Sequence, residues 1–255
     1  MEIERRTRTM KLNSMIASVV LLLTILSSCS NKDYFEDSGK HDPRFKGNMM
    51  AYLDSKAQHP EDPFDTLVQI IRYAGMEELF KNEKITFFAP PDPTFEKALV
   101  NLNLNLYTLG KDTIQSYKDV KPEVYRRLLS EYIVEGDFGL IDFKQVDTAA
   151  KYAFGGQIFQ TYNEEQAINV GVVFHDLKNG DATIKYGGPR QLMVSYVPDF
   201  TNPTQNWIST FVASSNIQPD NGRVHVLNYR RHTFGYMGAR FTALAMELGI
   251  DYHTK

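Results

Sequence analysis

An α+β domain is the fold class this sequence predicts, on three observations. Apolar residues recur at helical spacing through the first half, up to about Tyr132. From about Asp147 the texture changes to short runs rich in β-branched and aromatic residues, separated by turn residues. Two Asn-Gly pairs, Asn179-Gly180 and Asn221-Gly222, mark a tight hairpin and the start of a strand. Helices first and strands later describe an α+β layer arrangement. No internal repeat is visible, so one copy of the domain is expected.

Taken in order, Met49–Ser55 reads as a short helix. Asp62 and Pro63 suit the N-cap and first position of a second helix, in which Phe64, Leu67, Val68, Ile71 and Ala74 share one face. Gly75 is placed to end it. Met76–Phe80 continues as a short helix or turn, and Lys84–Phe88 is strand-like. Phe95–Leu106 is open between two readings, because Asn101-Leu102-Asn103-Leu104-Asn105-Leu106 alternates like a strand but also suits a loop lying on the core. Pro122–Tyr132 reads as a helix with Val124, Leu128 and Leu129 inward, and Gly136 ends the segment behind it. Strands are expected within Tyr152–Tyr162, Ile168–Leu177, Ala182–Tyr186, Gln191–Val197 and Arg223–Leu227. A final helix over Gly238–Gly249 places Phe241, Leu244, Ala245 and Leu248 on one face.

The N-terminus carries an address. Arg5, Arg6, Arg8 and Lys11 precede Met15–Leu26, twelve residues without a charge. A basic flank, a short apolar core and small exit residues make a secretory signal peptide. Twelve residues are too few for a membrane-spanning helix, which needs about 20. Leu26-Ser27-Ser28-Cys29 resembles the bacterial lipobox. The resemblance implies cleavage after residue 28, lipid on Cys29 with palmitate-type acylation, and a lipoprotein of the cell envelope at the outer membrane, exposed at the cell surface. Cys29 is the only cysteine, so no thiol remains for a disulfide, a metal or catalysis. Residues 29–48 follow as a polar, charged tether. Its nineteen residues after Cys29 reach about 60 Å when extended. The net charge is −3 for the whole chain and −5 without the +2 leader, which gives no reason to expect nucleic acid as a partner. Hydrophobic content of 42% with 16 Phe and 14 Tyr suffices for a core held by packing.

Two segments resemble the signature boxes of fasciclin-type domains. The first is Ile85-Thr86-Phe87-Phe88-Ala89-Pro90-Pro91-Asp92-Pro93-Thr94-Phe95, where Thr86, Phe88, Ala89, Pro90, Asp92 and Phe95 match and Thr94 replaces the usual Ala. The second is Asn221-Gly222-Arg223-Val224-His225-Val226-Leu227-Asn228, with Asn228 in place of Asp. The helix from Phe64 and the run Leu128-Leu129-x-x-Tyr132 fit the family as well. The resemblance covers roughly 62–228. It implies a wedge-shaped β-sandwich with helices packed on one side, and a secreted or tethered role in adhesion. The family's animal adhesion members often carry a Tyr-His pair where this chain reads Glu131-Tyr132. The organisation expected is leader 1–28, tether 29–48, domain 49–228 and a C-terminal extension 229–255 with a helix.

No catalytic constellation stands out. None of the six histidines pairs with another His or a carboxylate at zinc-motif spacing, and neither a phosphate-cradling glycine loop nor a Gly-x-Ser-x-Gly elbow is present. His225 reads as a hydrogen-bonded packing histidine. Phe88 and Phe95 read as core anchors, and Asp92 as the cap of the turn that follows it. The candidate contact surface is a polar insert, Asp199–Trp207, with Tyr196, Phe200, Asn206 and Trp207. Trp207 either stacks on a ligand such as a sugar ring or plugs the edge of the sandwich. The expectation is a non-enzymatic, cofactor-free binding or adhesion protein with a protein or polysaccharide ligand. The alternative is a glycan-binding accessory lipoprotein of an outer-membrane uptake system.

Overall fold

The computed structural model describes residues 42–59, 61–163 and 166–252. The leader, Cys29 and the first part of the tether lie outside the described residues. Six α-helices lie among the described residues. They are α1 (Met49–Ser55), α2 (Asp65–Tyr73), α3 (Glu77–Asn82), α4 (Pro93–Thr108), α5 (Pro122–Ser130) and α6 (Gly238–Leu248). The strands are β1 (Ile85–Ala89), β2 (Ile133–Glu135), β3 (Gln157–Gln160), β4 (Ala167–Phe174), β5 (Leu177–Asn179), β6 (Ala182–Ile184), β7 (Arg190–Tyr196), β8 (Ile208–Ile217) and β9 (Gly222–Leu227).

Seven strands form one sheet in the order β2-β1-β9-β8-β7-β4-β3, while β5 and β6 form a separate ribbon. The β1–β9 pair is parallel and its neighbours are antiparallel. β8 joins the two halves of this sheet, β2-β1-β9 and β7-β4-β3. That strand pairs with β7 through Ile208–Phe211, then shifts register twice against β9. Such irregularities let one strand pass between layers. The sheet curls until its edges meet, where the Tyr162 N–H beyond β3 donates to the Ile133 carbonyl of β2 at 2.9 Å. Phe159 of β3 packs on Phe138 and Phe143 inside the fold.

β1 is buried on both faces, which explains its unbroken apolar run. Phe87 meets Phe80 of α3 edge-on at 4.8 Å, on the helical side. Phe88 points the other way and stacks on His225. The α2 face predicted from spacing is buried throughout, and Gly75 ends the helix with φ +69°.

Two expectations need correction, and the segments before Met49 and after Asn228 pack onto the domain. The helix after Pro63 starts at Asp65, and the Asp62 carboxylate turns back to accept from the Gln58 and His59 N–H groups. Phe95–Leu106 is neither strand nor loop but lies within α4, because Phe95, Ala98, Leu102 and Leu106 reach the core at helical spacing. Pro43–Asn48, expected within the tether, is docked: the Phe45 N–H donates to the Gln218 carbonyl, the Gln218 N–H to the Pro43 carbonyl and the Gly47 N–H to the Asp220 carboxylate. The C-terminal extension packs on the domain as expected: Phe234 lies 4.4 Å from Phe95, centroid to centroid, and Phe241 packs on Tyr125.

Candidate binding surface and its scaffold

The two signature segments lie side by side. Phe88 of β1 is the register partner of His225 of β9, although 137 positions separate them. Their side chains serve the scaffold. The Thr86 hydroxyl donates to the Gly136 carbonyl and accepts from the Phe138 N–H, tying β1 to the loop beyond β2. Ala89 and Pro90 are buried. Asn221 accepts from the Met49 N–H and donates to the Phe80 and Glu83 carbonyls, joining α1, α3 and β9. Gly222 has φ +143°, and a Cβ there would fall 1.9 Å from the Ile85 carbonyl oxygen.

Asp92 caps a helix, but not the one that follows it. Its carboxylate accepts from the Thr66 and Leu67 N–H groups at 2.8 and 3.0 Å, closing the N-terminus of α2 from 25 residues away. Its own N–H donates to the Pro63 carbonyl. Burial pushes this carboxyl up to about 6, against the pull of the two N–H donors.

His225 is fully buried. Nε2–H donates to the Phe138 carbonyl at 2.9 Å and Nδ1 accepts from the Asn216 N–H at 3.3 Å. Both nitrogens are engaged with the backbone, and burial pulls the imidazole down to about 4. A neutral ring with no open face holds structure and does not meet substrate.

Sequence reasoning missed a second buried polar cluster. The Tyr132 hydroxyl accepts from the Gly235 and Tyr236 N–H groups, so its proton goes to His232 Nε2 at 2.9 Å. Burial first, then Lys97, pulls His232 down to about 3. Next to it Glu131, 2% exposed, takes both arms of Arg240 at 2.7 Å. The Arg240 guanidinium also lies 4.0 Å over the Tyr196 ring. The pattern Glu131-Tyr132 is thus a clamp on the C-terminal segment. Only the departure from the family's Tyr-His pair could have drawn attention to it.

The predicted contact residues separate. Tyr196 is buried, stacked against Tyr236, and is no part of an exposed surface, because β7 carries it into the core. Phe200 is 54% exposed, Asn206 is exposed in a left-handed conformation, and Trp207 is half-buried. The insert is prebuilt. Asp199 accepts from the Thr201 N–H and hydroxyl and from the Asn202 amide, which holds its carboxyl down at about 2. The Trp207 indole N–H donates to the Pro203 carbonyl at 2.7 Å, fixing the ring. Lys151 reaches over from the 147–156 loop, donating to the Thr204 carbonyl with its ammonium 4.2 Å above the Trp207 ring. It brings Tyr152, fully exposed, to the same loop cluster. Tyr152, Phe200, Asn206 and the free part of Trp207 are the groups this surface offers. Aromatic faces flanked by amides and one cation can stack and hydrogen-bond.

Among the described residues no group of three or more His, Cys, Asp or Glu could hold a metal ion. No described helix is long and apolar enough to cross a membrane. A shallow cleft of about 260 Å³ lies beside His175, Arg190, Gln191 and Val212.

The sequence matches the fasciclin domain family over residues 62–229. No curated protein sequence matches it. A similar solved structure is that of a FAS1 domain pair from the insect cell adhesion molecule fasciclin I. It shares 11% identity at a TM-score of 0.43, over 72% of this chain and 50% of that one. This chain therefore spans half the length of that domain pair.

Proposed function

The chain belongs to the fasciclin domain family, and from that premise we propose that it is a non-enzymatic binding protein, lipid-anchored through Cys29 at the outer membrane, that presents its aromatic loop cluster to a partner at the cell surface. One observation carries this reading. The chain enters the domain against Gln218, the residue after β8, while Trp207 is the residue before β8. Ten residues of strand set the two roughly 25–30 Å apart. The Pro43 end and the aromatic loop cluster thus stand at opposite ends of β8. The buried His225, His232, Asp92 and Glu131 hold the scaffold together, which favours contact as the use of this surface.

A polysaccharide partner is the second reading, favoured by the ring of Trp207 held in fixed orientation with amides beside it. In that case the chain serves as an accessory glycan-binding lipoprotein of an uptake system.

Membrane fractionation tests the anchor: a Cys29→Ser chain should leave the membrane fraction while its domain stays folded. Binding of the chain to cells, matrix proteins and a glycan array tests the surface. A Tyr152→Ala, Phe200→Ala, Trp207→Ala chain with unchanged melting should lose that binding. Binding equal to the parent would reject the loop cluster as the contact surface, and loss on the glycan array alone would select the second reading.

A further inference from the structure

The outer face of α4 carries an apolar stripe. Val100, Leu104 and Tyr107 are 58%, 60% and 78% exposed. Their i, i+4, i+7 spacing puts them on one side, opposite the core-facing Phe95, Ala98, Leu102 and Leu106. Leu109, 55% exposed, extends the stripe at the C-cap. From Ala98 to Gly110 the chain has no charged side chain. Its polar residues are occupied within the protein: Asn103 bonds both backbone groups of Ile114, Asn105 donates to the Asn101 carbonyl, and Thr108 donates to the Leu104 carbonyl. A helix face left to solvent ordinarily carries charges. Depletion of charge with Tyr and aliphatic residues in its place is the composition of an interface core.

We propose that this face of α4 pairs with the same face of a second copy of the chain. The stripe is self-complementary. Leu104 stands at its middle, with Val100 about one turn before it and Tyr107 about one turn after. A two-fold axis through Leu104 sets Val100 of one copy beside Tyr107 of the other in an antiparallel helix pair. No charged side chain lies between Val100 and Tyr107, so the centre of the pair buries no charge. A lipid surface is the poorer occupant, because helices lying in the membrane interface draw on Lys and Arg, and none stands between Lys97 and Lys111. Three aliphatic side chains a little over half exposed and Tyr107 at 78% offer about 400 Å² per copy, so a pair buries on the order of 800 Å². That is below the range of a stable interface, so the dimer is weak and reversible.

Sedimentation velocity on the full chain carrying Cys29→Ser reads the association directly. The mean mass should climb toward that of a dimer between about 10 μM and 1 mM. Leu104→Glu should hold the chain monomeric across that range with the same thermal midpoint, since Leu104 supports nothing in the core. In the same background, Leu104→Cys should join two copies through a short bis-maleimide about tenfold faster than Tyr152→Cys, a site as exposed but off the stripe. Three results overturn the proposal: a parent chain that stays monomeric at 1 mM, self-association that Leu104→Glu leaves intact, or binding to lipid vesicles that Leu104→Glu abolishes in a chain that never self-associates.

Discussion

Replacing His225 by phenylalanine keeps a ring of similar size against Phe88, whose centroid lies 5.4 Å away, but removes both hydrogen bonds. The Phe138 carbonyl loses its donor and the Asn216 N–H its acceptor, in a site with no solvent access. An orphaned buried group costs about 1–3 kcal/mol, so His225→Phe should lose roughly 3 kcal/mol at pH 7. Acid removes the difference. The imidazole titrates at about 4 in the folded chain against 6.5 when exposed. A depressed folded value means that stability is full above pH 6.5 and is lost as pH falls toward 4. The gap of about 2.5 units corresponds to about 3 kcal/mol. The parent therefore loses over that window about what the variant has already given up, and the two stabilities should converge near pH 4. Urea denaturation followed by circular dichroism from pH 7 to pH 4 measures this. Asp92 and His232 titrate in both chains and cancel in the difference. A gap between parent and variant that stays constant with pH would refute the reasoning, because it would mean that His225 takes up its proton as readily folded as unfolded.

Other substitutions probe the remaining joints. Gly222→Ala forces a methyl group onto the Ile85 carbonyl at a positive φ and should cost more than about 3 kcal/mol, visible as a lowered melting temperature or insoluble chain. Asp92→Ala opens the N-terminus of α2 and should cost about 1–2 kcal/mol by denaturant titration. Because the folded Asp92 carboxyl is raised to about 6, its contribution is fullest below pH 4 and fades as pH rises through 6, so Asp92→Asn should flatten that part of the pH–stability curve. Arg240→Leu removes the ion pair of the buried Glu131 and should cost about 3–5 kcal/mol, whereas Glu131→Leu with Arg240→Met should recover most of it.

Local signals were read well where one physical preference acted alone. The α2 stripe, the stop at Gly75, the hairpin turn after Asn179 and the closing helix α6 each follow from spacing or from a residue that tolerates positive φ. Reading failed where two preferences competed. In α4 the Asn-Leu alternation has period two and the core contacts have period 3.6, and Leu104 satisfied the first while facing solvent. β8 went unseen because its outward positions are Ser209, Ala213 and Ser214, which give little of the β-branched signal of a strand. Of the four contact residues predicted, Phe200, Asn206 and Trp207 lie in the loop cluster and Tyr196 does not. Lys151 and Tyr152 joined them from a loop about 50 positions away, with no mark in the local sequence.

By itself the sequence determined the α+β class, the fasciclin relationship and the reach of its two signature segments, since these rest on residues whose preferences are local. Only the tertiary structure decided what those residues do. It set Phe88 on His225, turned Asp92 to cap a helix 25 residues upstream, closed Glu131 on Arg240 and placed Trp207 at the opposite end of β8 from the point where the chain enters. The reason is physical: a buried polar group must find its partner wherever the packed chain provides one, and that distance is not written in the spacing of residues.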